Sequence, residues 1–135
     1  MTGTTKPLSI SVIGCGYLGT VHAVALAALG HDVVGIDIDA DRISLLAAGQ
    51  APFFEPGLPE RLEAGLASGR LRFSSDIADA ATADLHFVCV GTPQAPDGGA
   101  ADLTAIFAAT EALLPHLRLS LIHISEPTRR YAISY

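Results

Sequence analysis

Positive charge is scarce in this chain. Lys6 is its single lysine, and 8 basic residues face 14 acids for a net charge of −6. No basic patch results, which argues against nucleic acid and anionic membranes as partners. Cysteine is scarce too. Cys15 and Cys89 form neither a metal-ligand spacing nor a disulfide framework, so no metal is expected and a reduced, cytoplasmic setting is the default. Long apolar runs are missing, because Gly, His and Asp interrupt every candidate before it reaches membrane-spanning length. A signal-peptide pattern is missing as well, since the apolar run after Lys6 is short and leads straight into glycines. No internal repeat is visible. What remains is 135 residues, 50% hydrophobic, enough for one domain of ordinary size with its own core.

The informative stretch runs from Ile10 to Asp37. An apolar strand enters Gly14-Cys15-Gly16-Tyr17-Leu18-Gly19, a helix-patterned segment follows, and a second apolar strand ends on an acid. A lone GxGxxG says little. The same glycines after a strand, opening a helix, with an Asp about twenty residues on, form a dinucleotide-binding fingerprint. Gly14 makes the turn out of the strand, Gly16 lets a pyrophosphate approach bare main chain, and Gly19 lets the helix pack closely. The helix N-terminus offers N–H groups and a partial positive charge to phosphates. Asp37 is placed to accept hydrogen bonds from the adenosine ribose and to repel a 2′-phosphate, which favours NAD over NADP. Two other readings of this stretch are a strand–turn–helix without ligand and a site for S-adenosylmethionine.

Hydrophobic periodicity organises the rest. Strands are expected at Leu8–Ile13, Asp32–Ile36, Leu71–Ser74 and Leu85–Val90, the last covered on both faces. Helices are expected at Tyr17–Leu29, Asp39–Ala48, Pro59–Ala67, Asp76–Ala81 and Asp102–Leu117. In the first helix Val21, Val24, Ala25, Ala28 and Leu29 form the apolar stripe, with Gly30 ending it. Ile43, Leu45 and Leu46 are expected to be partly buried in the second. Ser75 or Asp76 caps the fourth and Asp102 the fifth. Alternating strands and helices predict an α/β fold, a Rossmann-type doubly wound parallel sheet, incomplete at about five strands.

Two further segments narrow the field. Phe54-Glu55-Pro56-Gly57-Leu58 and Val90-Gly91-Thr92-Pro93, followed by Asp97-Gly98 and Asp102-Leu103, resemble the UDP-glucose/GDP-mannose dehydrogenase family from Ser9 to about Arg118. The resemblance implies two NAD-dependent steps that oxidise a nucleotide-sugar primary alcohol to a carboxylate, most commonly UDP-glucose to UDP-glucuronate. UDP-N-acetylmannosamine and GDP-mannose are alternative substrates. A non-catalytic NAD-sensing module is the alternative of another class. A homo-oligomer is implied only for a full-length enzyme. The cofactor-binding positions carried over are Gly14, Gly16, Tyr17, Leu18, Gly19, Asp37, Arg42 and Thr92. Arg42 matches a basic residue near the adenosine ribose, or else is a solvated helix-surface arginine. Thr92 matches a cofactor contact at the end of a central strand. Glu55 receives no chemical role beyond its loop.

The same resemblance implies a cysteine nucleophile that forms a thioester, with a lysine and acids around the sugar, in later segments that have no counterpart here. No catalytic residue is therefore assigned. Cys15 sits in the phosphate loop, where a helix N-terminus can lower a thiol's pKa, but it would meet pyrophosphate and not a sugar carbon. Cys89 is expected as a small hydrophobe inside a buried strand. His22, His31, His86 and His116 are expected as surface or hydrogen-bonded histidines. The 135 residues alone are expected to bind NAD weakly and turn nothing over.

The family pattern stops after Arg118. Leu119 to Arg130 resembles a translated sequencing-library adapter, so residues 1–118 are expected to be the NAD-binding Rossmann domain (its N-terminal part) and 119–135 a non-native tail. The apolar, β-prone run 119–124 is a candidate fifth strand beside Leu85–Val90.

Overall fold

A computed structural model describes residues 6–117. Four strands, β1 (Ser9–Ile13), β2 (Asp32–Ile36), β3 (Leu71–Ser74) and β4 (Leu85–Val88), form one parallel sheet in the order β3-β2-β1-β4. Crossing from β3 back past β2 and β1 to β4 reverses the winding, and the chain has the α/β, doubly wound Rossmann arrangement. The candidate strand at 119–124 and the proposed tail lie outside the described residues.

Each face of the sheet has its own core. On one side Ile10, Val12 and Val33 pack with α1 (Tyr17–Ala28), α2 (Ala40–Ala47) and α3 (Leu58–Ser68), through Ala23 and Val24, Ile43 and Leu46, and Leu58 and Leu62. On the other, Ile13, Val34 and Ile36 meet Ala80 of a 3-10 turn (Ile77–Ala80) and Leu113 of α4 (Thr104–Leu113). Neighbouring residues along β1 and β2 are buried on opposite faces, so both faces of these strands are covered, at the polar Ser11 as well as at the apolar positions.

Several sequence expectations shift. The buried face of α1 is Gly19, Thr20, Ala23, Val24 and Ala27, while Ala25, Ala28 and Leu29 are exposed. Glycine decides this phase. A Cβ on Gly19 would lie 1.8 Å from the Gly14 carbonyl oxygen, so that face must hold the smallest residues. Leu45 is exposed, whereas Ile43 and Leu46 are buried. Strand β4 ends at Val88 at the edge of the described sheet and is not covered on both faces, with Leu85 42% and Val88 40% exposed. Helix α4 begins at Thr104, two residues later than expected. Asp102 still serves its start, accepting from the Thr104 amide at 2.9 Å and from its hydroxyl. After Leu113 the chain tightens into a 3-10 turn, Leu114–His116, around Pro115, which has no N–H to continue an α-helix.

Helix ends are set by local signals, Gly30 and Asp76 as expected. Gly30, Gly49 and Gly69 all have positive φ just past a helix. The side chains of Asp39 and Asp76 accept from the backbone amides of Arg42 and Ala78, capping α2 and the first 3-10 turn.

Candidate functional site

The glycine loop lies where β1 hands over to α1, between the carboxyl ends of β2 and β4. Gly14 takes φ +98°, and a Cβ there would sit 2.8 Å from the carbonyl carbon and oxygen of Cys89. Its N–H donates to Ile36 O at 2.7 Å, and the Cys89 N–H donates to Ile13 O at 2.6 Å. Cys15 is held at three points. Its N–H donates to Asp37 Oδ2 at 2.8 Å, its Sγ faces Ile36 O at 3.6 Å, and its carbonyl accepts the buried Thr20 hydroxyl at 2.9 Å.

Gly16 is different. It is the N-cap of α1, with no side-chain cap and no acid in the first turn, and a Cβ built on it meets nothing within 4 Å. The first amides of the helix thus lack a capping side chain, and the space beside Gly16 is open. Of the three glycines, two are required by the protein's own packing and one leaves room for something else.

Asp37 follows β2 and joins this loop to the next helix. Besides the Cys15 amide, its carboxylate accepts the Asp39 N–H at 2.9 Å and Arg42 Nη1 at 3.1 Å. Burial raises its pKa, but the Asp39 and Cys15 amides and the Arg42 guanidinium outweigh this and hold the carboxyl below the usual carboxylate range. These bonds occupy three of the roughly four acceptor positions of a carboxylate.

Gly14, Gly16, Asp37 and Arg42 line one cleft of about 610 Å³ at the carboxyl ends of the strands. Ile38, 98% exposed, and Ile77 flank it near Asp37, and Ala105, Ala108, Ala109 and Ala112 form its far wall on α4. These apolar residues were missed in the sequence. The alanine spacing i, i+3, i+4, i+7 was a readable signal for one small-residue face of α4; Ile38 carried none. Cys89 also differs from expectation. It lies one residue beyond β4, half-buried, on the cleft wall.

The remaining assigned positions stand off the cleft lining. Gly19 packs under the loop. Tyr17 and Leu18 project outward from the first turn of α1, half or more exposed. The Tyr17 hydroxyl donates to Glu55, and its ring meets Phe53 edge-on at 5.2 Å, so the Glu55 loop is tied to the start of α1. Thr92 is exposed, next to Gly91 of the cleft wall.

Neither cysteine is an activated thiol. Burial, then the charge of Asp37, pushes the Cys15 pKa up to about 12, the opposite of the lowering a helix N-terminus can give, because its Sγ is turned into the core. Burial raises Cys89 as well. Among the histidines, His31 Nδ1 accepts the Leu8 N–H at 3.1 Å and His86 Nδ1 pairs with Ser11 Oγ at 2.6 Å. His22 instead has a buried Nε2 with no hydrogen-bond partner among the described residues, its ring edge-on to Phe87. Among the described residues no group of three or more His, Cys, Asp or Glu is arranged to hold a metal ion. No helix of the described residues is long and apolar enough to cross a membrane.

An uncapped helix start, an open glycine and a strand-end acid at the switch point of a parallel sheet define a dinucleotide-binding domain of the Rossmann class. The profile of the UDP-glucose/GDP-mannose dehydrogenase family, NAD binding domain, matches residues 8–130. The chain belongs to that family, and NAD is the cofactor of the domain it represents. The UDP-glucose 6-dehydrogenase of Rhizobium meliloti (strain 1021) is 41% identical over 122 residues, which are 90% of this chain and 28% of that protein. The GDP-mannose 6-dehydrogenase of Pseudomonas syringae pv. tomato is 50% identical over 92 residues, 67% of this chain and 21% of the relative. Among solved structures, a UDP-glucose dehydrogenase from the hyperthermophilic archaeon Pyrobaculum islandicum superposes with a TM-score of 0.78 at 46% identity, covering 84% of this chain and 26% of that one. The chain thus spans roughly a quarter of the length of the relatives it matches.

Proposed function

We propose that this chain is the cofactor-holding part of a nucleotide-sugar dehydrogenase that oxidises the primary alcohol of UDP-glucose to the carboxylate of UDP-glucuronate. The observation that carries the reading is Gly16, open on its Cβ side at an uncapped helix start, with Asp37 on the wall of the same cleft. Backbone amides at the start of α1 would take the diphosphate, helped by the helix dipole. Asp37 and Arg42 would take the adenosine ribose, and Ile38 and Ile77 offer apolar surface to the adjoining base. Tyr17 and Leu18 would contribute through their backbone at the helix start, and Thr92 lies beyond the end of β4, on the side where ligands of parallel sheets bind.

When bound, NAD supplies the hydride acceptor; the chain's own residues bind and orient it and exclude water along the alanine wall of α4. The sugar-binding and nucleophilic groups would come from segments outside those described. No described residue is assigned to the sugar, so GDP-mannose and UDP-N-acetylmannosamine are the alternative substrates of the same reading. The free thiols suit a reducing compartment, and we place the reaction in the cytoplasm.

Two experiments test this. Calorimetric titration of the folded chain with NAD should give saturable binding, and absence of heat at millimolar NAD counts against the cofactor site. Reading the coding DNA beyond the Arg118 codon separates an enzyme from a sensing module. A frame continuing into a second domain with a cysteine nucleophile supports the dehydrogenase, whereas a stop codon supports the module.

A further inference from the structure

The segment 48–57 between α2 and α3 carries Phe54-Glu55-Pro56-Gly57, and the cofactor site uses none of it directly. Glu55 is half-buried off the cleft lining. Among the described residues its carboxylate has one hydrogen-bond partner, the hydroxyl of Tyr17, 38 residues back and the first residue of α1. The start of that helix carries a conflict. A side-chain cap orders a first turn by occupying its free amides. A cap here would fill the places the diphosphate is proposed to take. Gly16 supplies none, and the first turn holds no acid. The Tyr17 side chain is instead held from outside at two points, by Glu55 at its hydroxyl and by Phe53 edge-on to its ring at 5.2 Å. The holding segment is itself fixed. Ala51 and Phe53 pack against the core that contains Ala23 and Val24 of α1. The Glu55 carbonyl accepts the Leu58 N–H at 3.0 Å, Gly57 turns the chain at φ +81°, and Leu58 is buried at the start of α3. An anchored loop therefore grips the first turn of α1 without using its amides.

We propose that Glu55 is a positioning residue for the diphosphate: acting through the Tyr17 hydroxyl, it braces the first turn of α1 from outside, in place of a cap. The inference rests on the NAD reading above. Amides already held in place need no ordering when the ligand arrives, so the brace raises affinity without touching the ligand. Releasing Tyr17 leaves an uncapped turn to fray, and NAD must then reorder it.

The test titrates the full chain by calorimetry with NAD and with adenosine, which lacks the diphosphate. The variants are Glu55→Ala, Glu55→Gln, Tyr17→Phe and the pair Tyr17→Phe with Glu55→Ala, and circular dichroism checks each fold. Phenylalanine keeps the ring against Phe53 and removes only the hydroxyl, so it tests the brace even where Glu55→Ala does not fold. Glu55→Ala and Tyr17→Phe should each lower the NAD-to-adenosine affinity ratio about three- to tenfold, the range of one hydrogen bond. The pair should lose no more than either alone, since both remove the same contact. Glu55→Gln, whose amide oxygen still accepts the hydroxyl, should recover most of the ratio. A loosened fold would weaken both ligands together and leave the ratio where it was. An unchanged ratio in folded Tyr17→Phe overturns the proposal, as do losses that multiply in the pair or a glutamine variant as weak as the alanine one. If the unsubstituted chain does not bind NAD, the parent reading fails and this inference falls with it. Normal NAD binding with no shift in the variants removes the inference alone.

Discussion

The carboxylate of Asp37 accepts the backbone N–H of Cys15 at 2.8 Å, across 22 residues of chain. The acid that closes β2 is therefore part of the phosphate loop as well as a candidate reader of ribose. Any change at Asp37 touches both.

Asp37→Ala should weaken NAD binding by about 1–3 kcal/mol, the cost of a lost charge-assisted hydrogen bond with its partners left unmatched. It should also lower the melting temperature, since the Cys15 and Asp39 amides lose their acceptor. Calorimetry and thermal melts of the same samples measure the two effects. Unchanged NAD affinity in a folded variant would rule out the ribose role.

Gly16→Ala and Gly19→Ala should behave in opposite ways. At Gly16 the backbone lies at φ −70°, which alanine adopts freely, and the added Cβ meets nothing. The variant should fold normally and lose NAD affinity, because the methyl group occupies the open approach to the amides. At Gly19 the Cβ would run into the Gly14 carbonyl at 1.8 Å, so stability should fall by 1–3 kcal/mol or more, typically about the cost of overpacking. Chemical denaturation paired with NAD titration separates them.

The pH dependence follows from Asp37. Its folded pKa is held below the unfolded value of about 3.9, so the carboxylate stabilises the fold fully above that pH. This contribution is lost as pH falls through the folded pKa. Thermal melts from pH 7 down to 3 should show a steeper loss of stability at the acid end than the same series on Asp37→Asn. Parallel curves would show that Asp37 is not perturbed.

Cys15 should resist alkylation in the native chain at pH 8, because its thiol is buried with a pKa near 12. In denaturant it should react like any free cysteine. Mass spectrometry after iodoacetamide treatment reads this out, and rapid native labelling would contradict the burial.

Local signals were legible because they act through the backbone of a few neighbouring residues. Gly30 at the end of α1, Asp76 as a cap and β2 at Asp32–Ile36 are all where the sequence put them, while Asp39, read as the first residue of its helix, is the cap before it. The stripe assigned to α1 was out of phase, since apolar spacing alone cannot tell that Gly19 must face Gly14. Strand β4 read as buried because Leu-His-Phe-Val-Cys-Val is apolar, yet its neighbours decide its cover, and in the described sheet it is an edge.

The sequence by itself determined a strand, a glycine turn, a helix and an acid at the right separation, because each depends on short-range sterics and hydrogen bonding. Only the folded chain decided that Asp37 grips the Cys15 amide, that Arg42 leans on Asp37, that the Cys15 thiol is buried and that alanines of α4 wall the cleft. Apart from Arg42 and Asp37, five residues apart, these pairings join residues distant along the chain, and packing of two cores against one sheet brings them together.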